Sequence, residues 1–331
     1  MMSDPRLLVV LLNYRTPQMT LRAAQAALAD MPDTAELVIV DNASGDGSVG
    51  IFEQALADWN LGPRVRLILS GRNGGFGAGC NIGLAEQMSD GSAPDFFYLL
   101  NSDAFPDPGC IATLLDHMAH HPRAGFAASH VRGEDDLPHT TAFRFPSVAG
   151  EFEGAVRFGP VSRLLAHAIV APPLPEKTTQ VDWAAGASVM IRAETLEEIG
   201  RFDETFFLYF EETDLMKRGA RAGWSCWYVP EARVIHIGSV STGMKEWQRM
   251  PAYWFASRRH YFIKTHGRAY ATAAWAARLT GSALHALRCA LTGRRSQDPA
   301  FFTRDLARHG LGLRPRSGQV TRRRPVSEDR P

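Results

Sequence analysis

The stretch "FFLYFEETDL" at residues 206–215 sets Phe206, Phe207, Tyr209 and Phe210 directly before Glu211, Glu212 and Asp214. Carboxyl groups held against apolar surface lose solvation, so their pKa rises towards the range where a carboxylate can accept a proton from a hydroxyl. The same acids would also suit the first turn of a helix, whose N-terminal dipole favours negative charge.

Other polar groups fall at the ends of apolar runs. "RLLVVLLNY" ends on Asn13, "AELVIVDNAS" on Asp41 and Asn42, and "DFFYLLNSD" on Asn101 and Asp103. Asp41 could accept from a nucleobase or a ribose hydroxyl, or simply close a turn with the Ser-Gly-Asp-Gly that comes after it. Asn101 and Asp103 share one side of an extended segment. There Asp103 could bind a hard cation bridging two phosphates, or cap the next helix. Asn73 precedes "GGFGAGCNIG", whose glycines permit close backbone approach to a ligand or tight helix packing. The strict dinucleotide spacing fails: taking Gly75 and Gly77 as the first pair puts Cys80 at the third glycine position. His236 ends the apolar run of "VIHIGSVST"; such a histidine is a core residue unless a cation lies beside it.

The elements that must position these groups alternate. Four apolar runs read as strands, the first buried on both faces. Between them, 16–29, 50–58 and the "GAGCNIGLAEQM" segment read as helices. This order predicts an α/β fold around a Rossmann-like, mostly parallel sheet with helices on both faces, with ligands at the carboxyl ends of the strands. Residues 130–180 read as loops, 181–236 as a second ordered block, and 253–291 as apolar helix interrupted by basic residues. The totals fit a globular protein of one or two domains, with 45% hydrophobic and 21% charged residues among 331. The net charge of +1 conceals an asymmetry: from Pro251 onwards there are 16 basic against 4 acidic residues. The basic C-terminal part is expected to meet something anionic. Four scattered cysteines with no CxxC pair, and no recognisable signal peptide, read as reduced, structural and cytoplasmic.

In this order the segments "VVLLNY", "VDNASGDGS", "NGGFGAGCNIG", "LLNSDA", "VDWAAGASVMIRAETLEEIGRFDETFFLYFEETDL" and "VIHIGSVST" resemble family 2 glycosyltransferases, in particular the bacterial rhamnosyltransferase-like branch. The resemblance covers residues 6–265 and implies a GT-A fold. It implies a transferase domain over 1–248, divided into a nucleotide-sugar half (1–105) and an acceptor half (106–248). A basic helical extension would come next (249–295), then a disordered tail (296–331). It places Asn13, Asp41, Asn42, Asn73, Gly75, Asn101 and Asp103 around the donor, and Trp183 and Gly186 near the donor sugar and acceptor. Asp103 and His236 would hold Mg²⁺ or Mn²⁺. "FEETDL" stands where the family has "FEDxDL", which makes Glu212 the catalytic base, with Glu211 the alternative.

The resemblance implies an inverting, metal-dependent hexosyltransferase using a nucleotide-sugar donor, rhamnose favoured, and a saccharide or polyprenyl-diphosphate-linked acceptor in cell-surface polysaccharide synthesis. A UDP- or GDP-linked hexose is an alternative donor. No nucleic acid is expected, and a location peripheral to the cytoplasmic face of the membrane suits the basic amphipathic extension. The reading from another class is a nucleotide- or nucleic-acid-binding protein without transfer activity; a dinucleotide oxidoreductase is weakened by the glycine spacing.

Overall fold

A computed structural model describes residues 5–238, 249–296 and 298–311. The strands are β1 (Leu7–Asn13), β2 (Glu36–Asp41), β3 (Val65–Leu69), β4 (Phe96–Asn101), β5 (Ala104–Pro106), β6 (Ala124–Arg132), β7 (Ala142–Phe143), β8 (Thr179–Val181), β9 (Trp183–Ala184), β10 (Ser188–Arg192) and β11 (Ser225–His236). The α-helices are α1 (Pro17–Asp30), α2 (Ser48–Trp59), α3 (Phe76–Gly83), α4 (Cys110–His120), α5 (Val148–Val156), α6 (Gly159–Leu164), α7 (Ala193–Ile199), α8 (Glu211–Arg221), α9 (Ala252–His266), α10 (Arg268–Thr292) and α11 (Phe302–Gly310).

Among the described residues nine strands form one sheet in the order β3-β2-β1-β4-β10-β6-β11-β5, with β8 paired to β11. β1 pairs in parallel with both β2 and β4, and β2 with β3. β10 runs antiparallel between β4 and β6, while β11 is parallel to β6. Most strands therefore share one direction, as the alternating apolar runs require. β1 and β2 are buried on both faces because helices cover each side. The face of α1 carrying Thr20, Ala23, Ala24 and Ala27 recurs at helical spacing and is buried.

The order of strand addition reverses beside β1: β2 and β3 extend the sheet one way, and β4 the other. That is the switch point at which a crevice opens beyond the carboxyl ends. The register aligns the polar ends there, pairing Asn13 with Asp41 and Leu12 with Asn101.

Three segments differ from expectation. Residues 148–156 and 159–164, read as loop, form α5 and α6; Ser147 caps α5 by accepting from the Gly150 amide at 3.1 Å. Within the expected disordered tail, 302–310 forms α11, held by Arg249, whose guanidinium donates to both Asp305 oxygens at 2.6 and 2.7 Å. Residues 312–331 lie outside the described residues.

The helical extension also differs in detail, being two helices that pack on the body. Arg258 is buried in an ion pair with Glu151 at 2.7 Å, and Arg278 reaches the same carboxylate at 3.2 Å. Lys264 pairs with Asp203 and Asp214, and Arg288 donates to the Arg157 carbonyl. α10 comes so close to α5 that a Cβ on Gly281 would sit 2.8 Å from the Phe152 carbonyl oxygen. The basic residues interrupting the apolar pattern thus largely serve internal contacts. Among the described residues no helix is long and apolar enough to cross a membrane. All four cysteines are buried and unpaired.

Candidate active site

The crevice is built first from short polar side chains at the strand ends. Asn13 Nδ2 donates to Asp41 Oδ1 at 2.7 Å and to Ser44 Oγ at 3.0 Å. Ser44 returns its hydroxyl to Asp41 Oδ1 at 2.6 Å, and its amide donates to Asp41 Oδ2 at 3.1 Å. Asp41 is buried and closes a turn, one of the two roles its position allows. Ser44, three residues after an acid at a strand end, is a contributor that turn chemistry could have signalled.

The next strand end is tied to the glycine-rich segment. Asn42 Nδ2 donates to Asn73 Oδ1 at 3.2 Å and to the Gly75 carbonyl at 3.1 Å, while the Gly75 amide donates to Asn73 Oδ1 at 3.0 Å. Asn42 Oδ1 is buried with no hydrogen-bond partner, leaving one acceptor available. Gly75 has φ +94°, and a Cβ there would lie 1.9 Å from the Phe207 carbonyl oxygen. Its close approach is to the protein backbone; Cβ atoms on Gly79 and Gly83 would strike Leu12 and Val10 of β1. These glycines serve packing.

Asp103 and His236 meet. The ring Nε2 lies 3.0 Å from Asp103 Oδ1 and 3.4 Å from Asn101 Nδ2. They come together because β11 shifts register between Val229 and Arg233, at Pro230, and its bent second half pairs with β5. The Ile237 amide donates to the Asp103 carbonyl, fixing the strand end. Asp103 is buried, whereas the His236 side chain retains 17% exposure. His139 stands 6.2 Å from that ring, centroid to centroid, without any sequence signal for the proximity. Among the described residues no cluster of three or more His, Cys, Asp or Glu could hold a metal ion. The Ser-Val-Ser-Thr after Gly238 lies outside the described residues.

The acids at the start of α8 connect to the same strand end through the backbone of residues 186–187. Glu212 Oε1 accepts from the Gly186 amide at 3.2 Å. The next residue, Ala187, accepts from the Asn101 amide at 2.9 Å. One hydrogen-bonded step therefore links the strand end bearing Asp103 to the turn gripping Glu212. Gly186 packs tightly on the acid: a Cβ there would lie 3.0 Å from Glu212 Oε1, so a larger residue would have to shift the carboxylate by a few tenths of an ångström.

Glu211 is 1% exposed and its Oε2 has no partner. Burial pushes the Glu211 carboxyl well above its ordinary value, and the neighbouring Glu212 charge raises it further. Burial also raises Glu212, opposed by the Gly186 amide. Both carboxyls are thus pushed upward by burial, and only Glu212 has a backbone amide from another segment donating to it.

The apolar wall has a different source from the expected one. Phe206 and Phe210 turn towards α9, against His260 and Tyr261, and Phe207 and Tyr209 face Tyr253. The acids instead lie beside α3, where Gly77 and Phe76 approach Glu211 and Gly186, and both acids act on Cys80. Tyr209 and Phe210 both have positive φ, at 69° and 70°, and this unusual pair turns the chain sharply so that the acids point inward. Asp214 lies in the first helical turn as expected, yet it is buried and anchors Lys264 at 2.8 Å.

Trp183 is half-buried on β9, three residues before Gly186. Its indole N–H donates to the Arg144 carbonyl at 3.0 Å, and its ring stacks on Phe143 at 4.3 Å. The two-stranded β7–β9 ribbon carries it.

A parallel α/β sheet with its polar crevice at the switch point, completed by an antiparallel β10 and an acid pair on α8, defines the GT-A class of glycosyltransferases. Residues 8–166 match the family described as glycosyl transferase family 2, and residues 96–303 match glycosyl transferase family group 2. The chain is similar to the N-acetylglucosaminyl-diphospho-decaprenol L-rhamnosyltransferase of Mycobacterium tuberculosis. The two are 30% identical over 249 residues, spanning 68% of this chain and 75% of that one. Among solved structures it resembles the mannosyltransferase PcManGT from Pyrobaculum calidifontis in complex with GDP-Man and Mn²⁺. That likeness has a TM-score of 0.57 at 16% identity, over 94% of this chain and 81% of that one. GalNAc-T7 with UDP, GalNAc and Mn²⁺ superposes with a TM-score of 0.59 at 14% identity, over 95% of this chain and 55% of that one. The chain belongs to the family 2 glycosyltransferases, and it is a glycosyltransferase.

Proposed function

We propose that the enzyme transfers a sugar, rhamnose favoured, from a nucleoside diphosphate donor to a polyprenyl-diphosphate-linked saccharide in cell-surface polysaccharide synthesis, by a single inverting displacement. The M. tuberculosis relative is an L-rhamnosyltransferase acting on N-acetylglucosaminyl-diphospho-decaprenol, which supports the sugar and the kind of acceptor. The observation that carries the mechanism is the hydrogen-bonded path from Glu212 through Gly186 and Ala187 to Asn101, beside Asp103 and His236.

Glu212 is the base. Its side chain is half-buried and accepts from the Gly186 amide, while Glu211 is more deeply buried and its carboxyl is raised well above its ordinary value. Glu212 accepts the proton of an acceptor hydroxyl, whose oxygen bonds to the anomeric carbon as the bond to the diphosphate breaks. The nucleoside diphosphate leaves with that bonding pair. The Gly186 amide holds the base in line, and Trp183 borders the acceptor. Asn42, with its unpartnered oxygen, and Asn73 lie on the nucleoside side with Asp41 and Asn13, and Gly75 keeps that loop against the acid-bearing turn.

Asp103 and His236 suit Mg²⁺ or Mn²⁺. Asp103 Oδ1 and His236 Nε2 lie 3.0 Å apart and would hold the cation together. Bound there, the cation would neutralise charge developing on the leaving diphosphate. Work on a lipid-carried acceptor would place the enzyme peripherally at the cytoplasmic face of the membrane.

A thermal-shift screen over dTDP-rhamnose and UDP- and GDP-hexoses, with and without Mn²⁺, tests the donor site, because a ligand that binds only the folded state raises the midpoint. The largest rise is expected with dTDP-rhamnose plus Mn²⁺. No rise with any of them would overturn the donor assignment.

A further inference from the structure

The C-terminal end of α10 carries two features that the transfer chemistry does not use. One is an apolar stripe: Leu284, Leu287 and Leu291, at i, i+3 and i+7, are 45%, 57% and 78% exposed. The other is a cavity of ≈ 210 Å³ lined by Arg157, Arg288, Arg294 and Arg295, together with His285 and Thr292. Its acidic neighbour is Asp298, which pairs with Arg157 at 2.6 Å. Among the described residues, four guanidinium groups against the Asp298 carboxylate leave the cavity strongly cationic. Arg288 is held in place by the Arg157 carbonyl and by stacking over Phe158, at 5.2 Å from the ring centroid. Among the described residues no hydrogen bond or ion pair engages the side chains of Arg294 or Arg295, which are exposed.

We propose that this end of α10 docks on an anionic phospholipid surface, with the arginine-lined cavity receiving a lipid phosphate and the leucine stripe lying at the headgroup boundary. A helix with an exposed apolar stripe and a basic end binds such a surface through buried apolar area and attraction to anionic lipid together. The buried Arg258 and the internally paired Lys264 and Arg278 have no part in it, so the contact is confined to the last turns of the helix. The proposal deepens the peripheral-membrane reading and rests on it, since it names the surface by which the enzyme would reach a lipid-carried acceptor.

The test is co-sedimentation of the full chain with phosphatidylcholine vesicles and with vesicles enriched in phosphatidylglycerol. Thermal shift with inorganic phosphate and with a nucleoside diphosphate plus Mn²⁺ is run in parallel. The wild type is expected to sediment with the anionic vesicles alone. Replacing Arg294→Gln and Arg295→Gln together should weaken that binding at least tenfold, since each basic residue near an anionic surface contributes about fivefold. Leu287→Ser with Leu291→Ser should weaken it as well, and both pairs should keep the wild-type midpoint shift with nucleotide. Equal binding to both vesicle types, or wild-type binding by both variants, would overturn the proposal. So would a phosphate-dependent midpoint rise, lost in the arginine variant, without vesicle binding, which would mark a site for soluble anions. A nucleotide shift without vesicle binding would defeat the docking surface alone, and vesicle binding without a nucleotide shift would defeat the donor reading alone.

Discussion

Gly75 and Phe207 are in backbone contact: the amide after Gly75 donates to the Phe207 carbonyl at 3.0 Å, and a Cβ on Gly75 would overlap that oxygen. The loop that closes over Asn42 and Asn73 is thereby locked to the turn that presents the acid pair. Gly75→Ala should cost more than about 2 kcal/mol, combining φ > 0 strain with displaced backbone. Gly47 has a similar φ with nothing within 4 Å, so Gly47→Ala should cost only about 1 kcal/mol. Denaturant midpoints of the two variants check the difference; equal losses would show that the Phe207 contact is unimportant.

Glu211 binds a proton more tightly folded than unfolded, so between its ordinary value of 4.5 and its raised folded value the native state holds more protons. Stability from this group is fully present below 4.5 and falls as pH rises through the folded pKa. Glu211→Gln should therefore raise the thermal midpoint at neutral and alkaline pH while changing it little in acid, and should leave transfer measurable. A variant less stable than wild type at every pH would contradict the account.

The raised Glu212 carboxyl makes its own prediction for activity. The acid limb of the kcat/KM profile should fall above the ordinary glutamate value, because the base works only when deprotonated. A limb at or below 4.5 would remove Glu212 from that role.

Glu151 holds Arg258 and Arg278 where α5, α9 and α10 meet, and the Glu151 and Arg258 side chains are 7% and 4% exposed. Glu151→Gln leaves the Arg258 charge buried without its counter-ion, which should cost about 3–5 kcal/mol. Equilibrium unfolding in urea measures it, and a loss under about 1 kcal/mol would mean that water reaches the guanidinium.

Asp103→Asn and His236→Ala each alter one of the two side chains proposed to hold the cation. Each should abolish most of the Mn²⁺-dependent part of the nucleotide thermal shift while sparing the metal-independent part. A full Mn²⁺ effect in both variants would move the cation elsewhere.

Much of this crevice was legible along the chain. Asn13, Asp41, Asn101 and Asp103 each close an apolar run, and parallel strands bring such ends together. The convergence of His236 with Asp103 could not be read the same way, because it depends on the bend at Pro230 that redirects β11 onto β5. The aromatic run before the acids gave a misleading signal. It is apolar because it docks on α9, whereas the wall beside the acids comes from Phe76, Gly77 and Cys80, more than a hundred residues away. Charge pattern alone likewise could not separate the buried Arg258 from the exposed Arg294, since pairing with Glu151 becomes visible only once α5 exists where loop was expected.

The rate of Glu212→Gln, measured with donor and acceptor saturating and beside Glu211→Gln, tests the proposed mechanism most directly. Glutamine keeps the shape and can still accept from the Gly186 amide but cannot take the proton, so kcat should fall by about 10²–10⁴ with nucleotide binding intact, while Glu211→Gln stays far more active. Near-normal turnover by Glu212→Gln, or a larger loss in Glu211→Gln, would contradict it.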